Sequence, residues 1–271
     1  MTEDLLQALS SRSPAARWRA VRRLRDAAHS QQPEALAALA DALEDEHPFV
    51  RWCAGLTLAQ ADRPQTRSVL LDALEKGTPQ KQAAAADALA YVRQVNAEPL
   101  LQALASEEVL VRQSAAEALG RLGYPAVSQL ISLLTDESPW VRRAAVRALG
   151  HAGDSRAVDP IARCLSDSSP WVRRSAAYAL GAMRAQQVVP QLILILDDPD
   201  AQVRRNAAWA LGRVGDPVAL PNLRALHADT AFDREVAKEA GAAIDAIQRP
   251  TWSRLPGAVQ KWWARRASGN P

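Results

Sequence analysis

The chain repeats one stretch almost unchanged at an interval of 31 residues: Trp140-Val-Arg-Arg-Ala-Ala-Val-Arg-Ala-Leu-Gly150 and Trp171-Val-Arg-Arg-Ser-Ala-Ala-Tyr-Ala-Leu-Gly181. A third copy follows after the same interval, Val203-Arg-Arg-Asn-Ala-Ala-Trp-Ala-Leu-Gly212. A fixed period of this length indicates supersecondary units that stack on one another, because one such unit cannot bury its apolar face alone. The repeat therefore decides the fold class.

Alignment on the valine of each Val-Arg pair extends the repeat over eight units. Each unit is predicted to contain a first helix (A), a turn and a second helix (B), since its leucines, valines and alanines recur at helical spacing. The sequence thus predicts an all-α, right-handed α-solenoid of eight helix pairs over residues 1–248. The aligned reference positions are Ala16, Val50, Lys81, Val111, Val141, Val172, Val203 and Val236.

Helix B begins at a recognisable column. Three residues before the reference position, most units carry a residue that accepts hydrogen bonds from free helix amides, and the next residue is often proline, which suits a first helical turn. Glycine near the end of the B motif predicts a left-handed helix terminus. The three columns hold Ser13, His47, Thr78, Glu108, Ser138, Ser169, Asp200 and Asp233, then Pro14, Pro48, Pro79, Pro139 and Pro170, then Gly120, Gly150, Gly181 and Gly212.

Charge separates the last residues from the rest of the chain. Residues 249–271 carry five basic side chains and no acid, which leaves 28 basic and 30 acidic residues elsewhere. We interpret this Trp-rich tail as a cap on the last unit, with binding to an anionic membrane surface as the alternative. The net negative body argues against nucleic-acid binding. Two cysteines without a spacing pattern, and no secretory signal at the N-terminus, favour a cytoplasmic protein.

The consensus Asp-x-x-x-x-Val-Arg-x-x-Ala-Ala-x-Ala-Leu-Gly, followed by Ala-Val-x-x-Leu, resembles the HEAT-like repeat of phycobilisome-lyase-type proteins. Residues 136–150, 167–181 and 198–212 carry it. The segments 16–18 and 31–46 are also similar to the opening of the bilin lyase E-type subunit. The resemblance implies that the B helices line the concave side of the solenoid. It also implies either a binding scaffold or a subunit of a bilin lyase.

The B-helix positions −1, +2, +3 and +6 from the reference lack a consensus, and helical spacing places them on one face. We predict that this face binds a partner, because tryptophan and arginine together suit flat or anionic groups. For Trp140 and Trp171 the alternative is that they cover the seam between repeats. The candidate residues are Trp140, Arg143, Arg147, Trp171, Arg174, Tyr178, Arg205 and Trp209, with Trp18, Arg22, Phe49, Trp52 and Leu56 in the first units and the acids Asp87 and Glu117 between them.

The arginine of Val-Arg recurs together with an aspartate five residues before the reference position. An anion-binding track is one interpretation, but the joint recurrence favours structural Arg–Asp pairs. The pairs are predicted to leave Arg143, Arg147, Arg174 and Arg205 as the arginines available to a ligand. The recurring residues are Arg17, Arg51, Arg112, Arg142, Arg173 and Arg204, and Asp45, Asp136, Asp167 and Asp198.

No pattern of catalytic or metal-ligating residues stands out, since the four histidines lack ligand spacing and Cys53 and Cys164 read as small apolar fillers. We therefore expect no metal, no cofactor and no chemistry of its own. The predicted function is a scaffold that binds a protein partner through its concave face. The alternative is a bilin lyase subunit or a chaperone of a tetrapyrrole-carrying protein. In that case arginines would hold the propionates of a linear tetrapyrrole and aromatic side chains its rings.

Overall fold

The computed structural model describes residues 2–93, 95–228 and 233–248. Within these ranges the chain forms helices and turns and no β-strand. No helix among them is long and apolar enough to span a membrane. The chain divides into two compact units, Met1–Cys164 and Leu165–Pro271. From here on, the first and the second unit are these two parts of the chain, and the helix pairs are called repeats. The predicted cap or membrane anchor, residues 249–271, lies outside the described residues.

The helices follow the predicted alternation of A and B, with one extra short helix, α3, after the first pair. B helices pack against B helices: α5 against α7, α7 against α9 and α9 against α11 in the first unit, and α13 against α15 and α15 against α17 in the second. The all-α solenoid is therefore confirmed. The helices are α1 (Thr2–Leu9), α2 (Pro14–Arg23), α3 (Arg25–His29), α4 (Pro33–Ala42), α5 (Pro48–Ala61), α6 (Pro64–Lys76), α7 (Pro79–Leu89), α8 (Glu98–Ala103), α9 (Val109–Leu122), α10 (Val127–Ser132), α11 (Pro139–Ala152), α12 (Val158–Arg163), α13 (Pro170–Ala182), α14 (Val189–Leu194), α15 (Ala201–Val214), α16 (Leu220–Ala228) and α17 (Arg234–Gln248).

Leucines of the A helices and the reference valines of the B helices form the core. Leu39, Leu100 and Leu130 are fully buried, as are Val50 and Val141. Each buried leucine contributes about 1.5–3 kcal/mol relative to an exposed one, so stability is spread along the repeat. This distribution is what a stack of similar units requires.

The predicted B-helix starts are confirmed, but their hydrogen bonds differ from the expectation. His47, Thr78 and Asp200 accept a helix amide with their side chains, whereas Ser138 and Ser169 do not. The amides of Ser138 and Ser169 instead donate to the aspartates two residues earlier, at 2.9 and 2.8 Å. The recurring aspartate therefore fixes the turn that precedes helix B.

The predicted role of the motif glycines is wrong. Gly120 and Gly181 lie within α9 and α13, and the left-handed termini are formed by Gly123 and Gly153, whose φ angles are 63° and 65°. Gly181 instead allows two B helices to approach closely. A Cβ built on it would lie 2.6 Å from the Cα of Ala210. Glycine is therefore needed here for space between helices, not for backbone conformation.

The recurring Arg–Asp pairs are structural, and they connect consecutive repeats. Arg112 donates through Nε and Nη2 to the carboxylate of Asp136 at 2.8 and 3.1 Å, and Arg173 does the same to Asp198 at 2.7 and 2.8 Å. Arg17 reaches Asp45 in the same way. Each arginine thus bonds the aspartate of the next repeat, so the pairs hold neighbouring repeats together.

Candidate functional site

Three aromatic side chains meet on the B-helix face of the first unit. Trp18 of α2 lies edge-on to Phe49 of α5, with ring centroids 5.9 Å apart, and Phe49 stacks on Trp52 at 5.6 Å. Phe49 and Trp52 both remain 46% exposed. Their positions follow from the sequence, since −1 and +2 lie on one face of a B helix. The face therefore offers a cluster of stacked rings to solvent.

A cavity of about 330 Å³ lies against this cluster. Its apolar floor contains Trp18, Phe49, Trp52 and Leu56, and its wall includes the half-buried thiol of Cys53. Burial raises the pKa of this thiol, which the nearby positive charge of Arg22 partly offsets. The remaining lining residues are Arg22, Arg25, Thr57 and Gln60.

A second cavity, of about 220 Å³, shares Trp52 and Leu56 with the first and extends over α7 and α9. Tyr91 forms part of its wall, and Arg121 donates a hydrogen bond to the Tyr91 hydroxyl at 2.8 Å. Asp87 brings a carboxylate to this cavity, with Ser114 on the facing helix. We call the two adjoining cavities the Trp52 groove. The charged side chains that line it are Arg22 and Arg25 in the first cavity, and Asp87 and Arg51 in the second.

The carboxyl group of Asp87 is held in an unfavourable environment for its charge. Burial, reinforced by the negative charge of Glu117, raises the pKa of Asp87 to about 6. The guanidinium of Arg121 and a hydrogen bond from Ser114 act in the opposite direction. Because the pKa in the folded chain exceeds the ordinary value of 3.8, protonation of Asp87 stabilises the fold, and that stabilisation is lost as the pH rises through about 6.

Asp87→Asn should therefore stabilise the protein most at neutral and alkaline pH. We expect the variant to exceed the wild type in free energy of unfolding at pH 7.5, and this difference to shrink by about 1 kcal/mol at pH 5.0. Urea denaturation followed by circular dichroism at both pH values measures it. A difference that stays constant across this range would show that Asp87 does not titrate as inferred.

The other predicted residues of the first unit lie on α11. Trp140 is 47% exposed, Arg147 is exposed and Arg143 is half-buried. The +3 position, predicted to be exposed, is buried here as Ala144 and in α9 as Ser114. The reason is that this column faces the neighbouring B helix. The prediction that this column is exposed is therefore wrong in α9 and α11, although Cys53 and Ser114 at this position line the two cavities.

In the second unit the predicted residues form internal contacts. Arg174 donates to both carboxylate oxygens of Asp200, at 2.9 and 2.6 Å, and its guanidinium carbon lies 4.5 Å from the centroid of the Trp171 ring. Tyr178 stacks on Trp209 with centroids 4.7 Å apart. Arg205 lies 3.6 Å from Glu239. The expectation that Arg174 and Arg205 are unpaired is therefore wrong, because acids of the next repeat reach them.

Sequence reasoning did not identify Tyr91, Arg25 and Leu110 as groove residues. Tyr91 and Arg25 lie outside the four columns considered, after the ends of α7 and α2, whereas Leu110 occupies position −1 in the first turn of α9. The sequence offered a partial signal for Tyr91. This aromatic residue follows α7, a helix rich in alanine, so there is little large apolar surface nearby in the sequence for its ring to pack on. Over the described ranges, no histidine, cysteine or acidic side chains form a group of three that could hold a metal ion.

The chain is similar to several proteins of known structure. The chain has a fold similar to YibA from E. coli, with 21% identity, a TM-score of 0.66 and 92% of each chain covered. It is also similar to a structure of Kap95p bound to RanGDP, with 14% identity and a TM-score of 0.64, over 98% of this chain and 43% of that one. The complex of CpcE and CpcF of phycocyanin lyase from Nostoc sp. gives 24% identity and a TM-score of 0.41, over 91% of this chain and 94% of that one.

No curated protein matched the chain. The family described as HEAT repeats matches residues 2–90, 97–181 and 158–245, which together cover most of the sequence. The match spans the same helix pairs that the 31-residue period predicts. The chain therefore belongs to the HEAT-repeat family.

Proposed function

We propose that this protein is a non-catalytic scaffold that binds a segment of a protein partner through its B-helix face, in the Trp52 groove. The observation that carries the proposal is the exposed stack of Phe49 and Trp52, with Trp18 against it, between two adjoining cavities. Exposed aromatic clusters beside arginine are typical of the residues that dominate binding energy in protein interfaces. The resemblance found in the sequence assigns this face to the concave side of the solenoid.

The polar groups of the groove support recognition of a segment with mixed chemistry. Apolar and aromatic side chains shared by the two cavities form the centre. The charged lining residues are Arg22 and Arg25 in one cavity, and Asp87 and Arg51 in the other. An apolar centre with a charged rim is the usual anatomy of a protein-binding surface. The groove crosses α2, α5, α7 and α9, so a bound segment would contact several repeats at once.

Trp52→Ala should strongly weaken partner binding, because this ring forms part of both cavities. We expect recovery of a true partner to fall by about thirtyfold, the effect of losing a binding hot spot of about 2 kcal/mol. The measurement is affinity purification of the tagged protein from its source cells with quantitative mass spectrometry. Tyr124→Ala is the control, since Tyr124 is 39% exposed but lines neither cavity.

The same variants separate the scaffold from the tetrapyrrole alternative. Absorbance titration with a linear tetrapyrrole would detect a chromophore bound in the groove. The tetrapyrrole alternative would replace the scaffold function if two results coincide. Trp52→Ala would remove the spectral change, and no protein would be recovered in a way that depends on Trp52. If neither readout depends on Trp52, the groove is not the binding site.

A further inference from the structure

The cavity between α2–α3 and α5 has only positively charged groups among its charged lining residues. Its charged lining residues are Arg22 and Arg25, both exposed, and it contains no acid. Within the part of the chain that the structure describes, neither arginine takes part in a hydrogen bond or an ion pair. The arginines of the Arg–Asp pairs differ, since Arg17 and Arg112 are each held by a largely buried carboxylate. Arg22 and Arg25 are thus available to an anionic partner.

The apolar floor beneath these arginines specifies the rest of the ligand. Trp18, Phe49, Trp52 and Leu56 present ring and aliphatic surface next to the two guanidinium groups. At about 330 Å³ the cavity is at the lower end of the range for ligand sites, which suits a few side chains of a short segment. A carboxylate pairs well with the planar fork of arginine, and an apolar side chain beside it removes the rings from water.

The charges of the other cavity determine at which end of the groove the acidic part of a bound segment is favoured. Beyond Trp52 the wall includes Asp87, with Glu117 near enough to raise its pKa. Arg51 also lines this cavity, but its Nη1 already donates to the carbonyl oxygens of Asp45 and Glu46. Carboxylates of a partner would therefore be favoured at the Arg22–Arg25 end, which has no acid in its lining, over the end that contains Asp87. The negative charge of the bound segment should therefore concentrate at one end.

We propose, on the basis of the scaffold function above, that the α2–α5 cavity binds an acidic segment of the partner protein. An apolar or aromatic side chain of this segment rests on Trp18, Phe49 and Trp52, and neighbouring Asp or Glu carboxylates pair with Arg22 and Arg25. The arginines supply charge selectivity, and the rings supply most of the buried apolar area.

The test is a selection of displayed random peptides of about twelve residues, long enough when extended to cross several packed helices. It is run on the full chain, on Arg22→Glu/Arg25→Glu, and on the matched control Arg19→Glu/Arg23→Glu. The control makes the same change in charge on α2, at exposed arginines that do not line the cavity. Peptides enriched on the wild type should be acidic with an apolar residue. They should bind Arg22→Glu/Arg25→Glu about tenfold more weakly and the control with little change.

Cys53 gives a second readout that is local to the cavity. The other cysteine, Cys164, is buried, so a maleimide should react first with the half-buried thiol of Cys53. A synthetic peptide from the selection, at about ten times its Kd, should slow this reaction about tenfold if it occupies the cavity.

Three results would overturn the inference. Enriched peptides without an excess of acid would remove the charge argument, as would peptides that bind Arg22→Glu/Arg25→Glu as well as the wild type. Acidic peptides that leave Cys53 unprotected bind elsewhere. In each case, loss of peptide binding in Trp52→Ala would leave the scaffold function standing. If no selected peptide depends on Trp52, the scaffold function fails as well.

Discussion

Arg112→Ala is expected to lower the free energy of unfolding by about 3 kcal/mol, because it leaves a buried carboxylate without its partner. The side chains of Arg112 and Asp136 are only 10% and 8% exposed. Arg112 also donates through Nη1 to the carbonyl oxygens of Ser106 and Glu107, both at 2.8 Å. One guanidinium thus joins the turn of its own repeat to the aspartate of the next.

Chemical denaturation with circular dichroism measures this loss, and two further variants identify its cause. Arg112→Lys should recover little stability, since an ammonium group cannot form the two parallel bonds to Asp136 while also reaching the turn. Arg156→Ala is the control. It removes an equally short pair with Asp154, at 2.7 Å, but at the surface and two residues apart. Arg156→Ala should leave unfolding unchanged. Equal effects of Arg112→Ala and Arg156→Ala would contradict a structural role of the buried pairs.

Gly181→Ala is expected to destabilise the second unit by about 2 kcal/mol, although alanine is favoured over glycine in a helix by about 1 kcal/mol. The added Cβ would lie 2.6 Å from the Cα of Ala210, 2.7 Å from its Cβ and 2.8 Å from Cζ3 of Trp209. Backbone atoms of a packed helix cannot move aside as a flexible side chain does. Helices α13 and α15 must therefore separate.

Urea denaturation measures this destabilisation, and near-ultraviolet circular dichroism should report a disturbed stack of Tyr178 on Trp209. Gly153→Ala provides the comparison. Gly153 has a φ of 65° and nothing within 4 Å of its added Cβ, so only backbone strain of about 1 kcal/mol is expected. If Gly181→Ala stabilised the protein, as helix propensity alone predicts, the close approach of α13 and α15 would be refuted.

The sequence determined the repeat, the helix pairs and the starts of the B helices. These features depend on local chemistry: apolar residues at helical spacing, proline in the first turn, and residues such as Thr78 and Asp200 that accept helix amides. The pairing of arginine with aspartate was also predictable, because the two residues recur together. The aromatic face followed from register, since Trp52 and Phe49 occupy positions of one B helix that point the same way.

Tertiary structure decided what depends on the neighbouring repeat. The sequence predicts that Gly181 ends a helix, but in the structure it lies inside α13 at the point where this helix packs closely against Ala210 of α15. The sequence predicts that Arg174 is available to a ligand, but in the structure it donates hydrogen bonds to Asp200 of the next repeat. The burial of Asp87 and the cavity beneath Arg22 likewise arise between helices. The repeat period determines which residues each repeat contains. Which side chains meet between repeats depends on the rotation and distance between stacked repeats. That rotation and distance result from packing along the whole interface.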